Sequence, residues 1–78
     1  MFFEVWDNVS GNMVATWDTK EEALAALRYA LAEHGPEYVE ALYFGQGNAR
    51  GGGKAIAEGK ALVDLVRASK PTAPARQT

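Results

Sequence analysis

The sequence has 78 residues, 47% hydrophobic side chains, no cysteine and a formal net charge of −2. The apolar content excludes an intrinsically disordered chain, and the lack of cysteine excludes a disulfide framework and a thiolate metal site. A chain of this length buries only about 60% of the surface that its unfolded form exposes. We therefore expect a modest core, to which a partner surface would add stability.

The charges are unevenly distributed along the chain. Residues 1–44 contain eight acidic and two basic residues, a net charge of −6, whereas residues 45–78 contain six basic and two acidic residues, a net charge of +4. This division predicts that the two halves attract each other, within or between subunits, or that the second half contacts an anionic partner.

Targeting signals are not evident. Residues 1–7 lack the basic region of a signal peptide, and no apolar run approaches the roughly 20 residues that a membrane helix needs. We expect a cytoplasmic protein without a membrane partner. Residues 1–69 are predicted to form a single domain, and residues 70–78, with two prolines and no large apolar side chain, are predicted to form a flexible tail.

Two short runs rich in aromatic and branched residues, 2–7 and 12–17, predict a β-hairpin closed by residues 8–11. A left-handed Gly11 after a type I turn gives three expected cross-strand pairs. They are Trp6 with Val14, Val5 with Ala15, and Phe3 with Trp17. Phe3, Val5, Ala15 and Trp17 then share the core side, while the other side holds Phe2, Glu4, Trp6, Val14 and Thr16. A slip of one residue would exchange the two sides.

The next segment has the pattern of an amphipathic helix. Thr19 and Glu22 have the spacing of a capping box, and apolar residues recur at helical intervals as far as Leu31. Gly35 and Pro36 predict the end of this helix.

The second half repeats the order of two strands and a helix. A short turn is expected over residues 37–40, followed by strands over 41–44 and 54–57, with a long glycine-rich loop over 46–53. Residues 60–69 predict a helix whose core face carries Leu62, Leu65, Val66 and Ser69. The predicted fold is therefore α+β, in the order ββαββα, with a four-stranded antiparallel sheet and both helices packed on one face. Phe2, Trp6, Val14 and Tyr43 are expected on the opposite face, which such helices leave uncovered.

No motif indicates catalysis or a cofactor. Gly51–Gly53 and Lys54 suggest a phosphate loop, but Asn48 and Ala55 stand where the Walker pattern requires glycine and a hydroxyl residue. His34 has no second histidine or cysteine to complete a metal site. We expect no enzyme activity, no cofactor and no metal.

Several segments resemble known proteins. The runs 3–7, 10–12, 19–24, 35–36 and 56–62 resemble a group of small bacterial proteins of unknown function, which implies a bacterial origin. Residues 18–24 and 30–31 are more weakly similar to the helix of HicB-type antitoxins, which neutralise small toxins and often bind operator DNA. This similarity implies a regulatory role.

The uncovered sheet face is the feature that best suggests a function. Its aromatic residues predict a small protein-interaction module that forms a homo-oligomer or contacts another protein. The alternative is single-stranded nucleic-acid binding, in which Trp6, Phe2 and Tyr43 stack on bases while Arg50, Lys54 and Lys60 contact phosphates. Glu4 on the same face and the net acidic charge oppose this alternative.

Overall fold

The computed structural model describes residues 1–48 and 51–69, which form a four-stranded antiparallel sheet and three helices. In chain order the elements are β1 (Phe2–Asp7), β2 (Met13–Trp17), α1 (Lys20–His34), α2 (Pro36–Glu40), β3 (Leu42–Gly47), β4 (Gly53–Glu58) and α3 (Gly59–Ala68). The strand order is β2-β1-β3-β4, so β2 and β4 are the edge strands. The α+β class and the four-stranded antiparallel sheet are confirmed.

Helix α1 begins and ends where the sequence predicts. The Glu22 backbone N–H donates to Thr19 Oγ1 (3.1 Å), and the Thr19 N–H donates to Glu22 Oε1 (3.3 Å), which completes the capping box. At the other end, Gly35 adopts a φ of 89°, a conformation that glycine reaches without steric cost.

The short helix α2 corrects the prediction of two helices. Pro36 suits its first position because the N–H that proline lacks would have no helical partner there. The Ala41 N–H closes the last turn on the Tyr38 carbonyl (3.2 Å). The segment predicted as a short turn is therefore helical, and it brings Val39 into the core.

The glycine-rich connection is shorter than predicted. Gln46 and Gly47 continue β3, and Gly53 already belongs to β4. These residues have weak strand propensity, but pairing of β3 with both β1 and β4 holds them extended. Arg50 in this connection and the predicted tail at 70–78 lie outside the described residues.

The core lies between the helices and one side of the sheet. Its fully buried residues are Val5, Ala23, Leu27, Val39, Leu42, Phe44, Leu62, Val63 and Val66. Phe3 and Trp17 pack against this cluster, which confirms the side of the hairpin that faces the core. Val63 was not predicted to be buried. Helix α3 packs against α2 as well as against the sheet, so more of its surface is covered than the single face that the sequence predicts.

Both edge strands contain an irregularity in their pairing. Trp6 pairs with Met13, which corrects the predicted pair with Val14, while Phe3 with Trp17 and Val5 with Ala15 are confirmed. The Asp7 N–H donates to the Asn12 carbonyl (2.8 Å), so the turn closes one residue earlier than expected and Val14 becomes the extra residue of a bulge.

In β4, Ile56 is the extra residue between the Phe44–Ala57 and Gly45–Ala55 pairs.

Candidate interaction surface

The side of the sheet opposite the core carries the aromatic residues that the sequence places there. Strands β1 and β3 contribute three directly opposed pairs to this side: Phe2 with Gly47, Glu4 with Gly45, and Trp6 with Tyr43. Side chains alternate along a strand, so these residues share one surface, while Val5 and Phe44 point to the core. We call this surface, with Val14 of β2, the open face.

Two glycines of β3 accept aromatic rings from the open face. A methyl group on Gly45 would lie 2.6 Å from Tyr43 Cε1 and 2.7 Å from its hydroxyl oxygen, so the Tyr43 ring lies directly over Gly45. A methyl group on Gly47 would lie 2.6 Å from Cε1 and Cζ of Phe2. Both glycines are buried and both rings are half-buried. The two rings therefore pack against the backbone of β3 at these glycines.

Glu4 lies at the centre of the open face. It is half-buried, and on β1 it stands between Phe2 and Trp6. The Trp6 indole Nε1–H donates a hydrogen bond to Glu4 Oε1 at 3.0 Å. This bond fixes the indole along the strand and orients the carboxylate.

Strand β2 extends the open face with more exposed apolar groups. Val14 and Met13 are each 48% exposed, more than any of the three aromatic residues of the face. Both lie beside Trp6, because the bulge sets two residues of β2 against one of β1. Thr16, opposite Glu4, is the polar member of this strand.

The charges of the open face are acidic. Glu58 of β4 stands opposite Tyr43 and accepts a hydrogen bond from Asn8 Nδ2 at 3.1 Å. Lys54 pairs with Gln46, in the row that contains Phe3, so it belongs to the other side of the sheet. Within residues 1–48 and 51–69, Glu4 and Glu58 are the charged residues of the open face.

The predicted site residues are thus brought together only in part. Phe2, Trp6, Val14 and Tyr43 share the open face, whereas Lys54 does not, and Arg50 is outside the described residues. Gly45 and Gly47 were not predicted to belong to this surface. Their alternation with Tyr43 at every second position of one strand is the signal that could have identified them.

The β1–β2 turn is held by a carboxylate. Asp7 Oδ1 accepts hydrogen bonds from the backbone N–H groups of Val9 (2.8 Å) and Ser10 (3.4 Å). The bond from Val9 is the main cause that lowers the pKa of Asp7 below its ordinary 3.8. The Asn8 N–H donates to the Ala41 carbonyl (2.8 Å), which fastens this turn to the start of β3.

The remaining features of the described residues concern metal ions, one aromatic contact and membrane helices. No cluster of three or more histidine, aspartate or glutamate side chains suitable for a metal ion occurs among them. The His34 ring contacts the Tyr38 ring, with the two centroids 4.7 Å apart and the planes tilted by 42°, on the surface of α1 and α2. A bilayer-spanning helix, long and apolar throughout, is not found in the part of the chain that the structure describes.

No protein-family model, curated protein or solved structure matches the chain. The resemblances to the small bacterial proteins and to HicB-type antitoxins stay predictions.

Proposed function

We propose that the chain is a small non-enzymatic protein-interaction module that buries its open face against another protein. The observation that carries this proposal is the set of Phe2, Trp6 and Tyr43 on the side of the sheet opposite the core. Aromatic residues of this kind form the energetic centres of protein interfaces, because each buries a large area at a small cost in conformational entropy.

The sheet edges are less suited to binding than the face. A partner strand that joined β2 or β4 would need a regular row of backbone donors and acceptors. Val14 and Ile56 interrupt that row at the two edges, and bulges of this kind protect edge strands from pairing. We therefore assign the interaction to the face.

Self-association through the open face is the version of this proposal that the sequence predicts. A second copy would cover the aromatic rings and enlarge the modest core. Sedimentation equilibrium from about 10 µM to about 1 mM tests it, with Trp6→Ala as the variant and Tyr29→Ala as the control. Tyr29 on α1 is 67% exposed, so its truncation removes a comparable ring from the other side of the molecule.

If a second copy is the partner, Trp6→Ala should dissociate the dimer and Tyr29→Ala should leave it intact. A monomer over the whole range, or equal effects of the two variants, would contradict self-association through this face.

Single-stranded nucleic-acid binding is the competing proposal, and the charge of the open face opposes it. Phosphate contacts dominate such binding, and they require basic residues beside the stacking rings. Glu4 and Glu58 instead flank the rings, and Lys54 lies on the other side of the sheet. The antitoxin-like role and the cytoplasmic location stay predictions from the sequence.

A further inference from the structure

We infer that the open face receives a basic side chain of another protein, a lysine or an arginine, at Glu4. This inference rests on the proposed function and names the chemistry of its partner. One carboxylate lies among three aromatic rings, and the described residues place no basic side chain on the open face.

Glu4 has capacity for a further donor. A carboxylate accepts about four hydrogen bonds, and the Trp6 indole supplies one to Oε1 at 3.0 Å. Neither Gly45 nor Thr16, the residues directly opposite Glu4 on the neighbouring strands, carries a charge. The half-buried position reduces solvent screening, which strengthens the attraction for a cation.

The surroundings of Glu4 suit the rest of a basic side chain. Phe2 and Trp6 flank it along β1, and the Tyr43 hydroxyl end lies over Gly45, the residue opposite Glu4 on β3. Aromatic faces attract ammonium and guanidinium groups, and they also cover the apolar stem of lysine and arginine. A carboxylate among such rings complements both the charge and the stem.

Within residues 1–48 and 51–69, a second copy offers no basic side chain that lies on the open face and could pair with Glu4. The basic residues that the structure describes lie on the helices or on the core side of β4; they are Lys20, Arg28, Lys54, Lys60 and Arg67. A symmetric face-to-face dimer brings the same patch of both copies together, so two Glu4 carboxylates would approach each other without a cation. Charge complementarity therefore favours a different, basic protein.

The test is an NMR titration of the full chain with short peptides of known charge. The probe is acetyl-Ala-Leu-Lys-Leu-Ala-amide, and the matched peptides carry arginine, norleucine or glutamate in place of the lysine. The reporters are the Trp6 indole N–H and the Gly45 backbone N–H. We expect the lysine or the arginine peptide to shift both signals, and the norleucine and glutamate peptides to bind about fivefold more weakly or worse, since a charge-assisted hydrogen bond is lost.

The variant Glu4→Gln removes the charge but keeps an oxygen that can accept from Trp6. It should abolish the preference for the basic peptide over norleucine. Glu40→Gln removes the same charge from an exposed position of α2 and should leave the preference unchanged. If Glu4→Gln lost the native spectrum, the binding of the lysine and norleucine peptides to the unchanged protein would still show whether the open face prefers a basic side chain.

Equal binding of the basic and norleucine peptides, or equal effects of the two glutamine variants, would overturn the inference. Neither result would contradict the proposal that the open face binds another protein. Concentration-dependent shifts of the same signals without peptide would also overturn it, because a second copy would then occupy the face. Shifts with oligothymidylate at low salt but none with any peptide would overturn both proposals.

Discussion

The ring of Tyr43 lies over Gly45, two residues further along the same strand, with its hydroxyl oxygen 2.7 Å from where a β-carbon would be. Phe2 covers Gly47 in the same way across the β1–β3 pair. Glycine normally weakens a strand because it has no side chain to pack. Here the missing side chain leaves room for a neighbouring ring, so the glycines shape the open face.

Gly45→Ala should therefore displace the Tyr43 ring and destabilise the fold by about 1 kcal/mol, the lower end of overpacking costs, since the ring can rotate toward solvent. Urea unfolding followed by circular dichroism measures the change. In the double variant Tyr43→Ala with Gly45→Ala, the added methyl meets no ring, so the two effects should not be additive. Additive effects would show that the ring does not rest on Gly45.

Thr19→Ala should cost about 1 kcal/mol, because it removes the acceptor for the Glu22 N–H at the start of α1. Thr19→Ser keeps a hydroxyl and should retain most of the stability. Thermal or urea unfolding of the two variants provides the measurement. Equal losses in the alanine and serine variants would indicate that the cap does not account for the effect.

Gly11→Ala should destabilise the hairpin by about 1 kcal/mol, because Gly11 has a φ of 78°. No atom lies within 4 Å of an added methyl group, so the cost arises from the backbone conformation alone. Gly11→Asn should cost less, since asparagine tolerates left-handed backbone better than alanine. Urea midpoints of the two variants test this order, and a reversed order would contradict it.

Acid should destabilise the chain partly through Asp7. Its pKa is lowered in the folded state, chiefly by the Val9 N–H, so the folded chain binds this proton more weakly than the unfolded chain. The resulting stability is present above the ordinary pKa of 3.8 and is lost as the pH falls through the lowered value. Urea midpoints between about pH 6 and pH 2 should fall less steeply for Asp7→Asn. A carboxyl pKa at or above 3.8 by NMR would contradict this.

The sequence predicts the elements whose causes are local. The capping box at Thr19 and Glu22, the stop at Gly35 and the two sides of the hairpin follow from neighbouring residues and are confirmed. Features that depend on residues distant in the sequence were either not predicted or predicted wrongly. The Trp6–Val14 pair failed because the turn closes at Asp7 and Asn12, which shifts the register by one residue.

The same division applies to the open face. Alternation along β1 was enough to place Phe2 and Trp6 together. The positions of Glu4 opposite Gly45 and of the Tyr43 ring could not be predicted in this way, because they depend on the pairing of β1 with β3. The side of the sheet to which Lys54 belongs likewise follows from its pairing with Gln46, which the sequence alone does not define.

The most direct test of the open face as an interaction surface is site-specific photo-cross-linking in the cells that produce the protein. Benzoylphenylalanine replaces either Val14, on the open face, or Tyr29, on α1. Tyr29 is 67% exposed against 48% for Val14, so random encounters would favour the α1 position. We predict a discrete protein adduct from position 14 and none from position 29. The same adducts from both positions, or no protein adduct from position 14, would contradict the account.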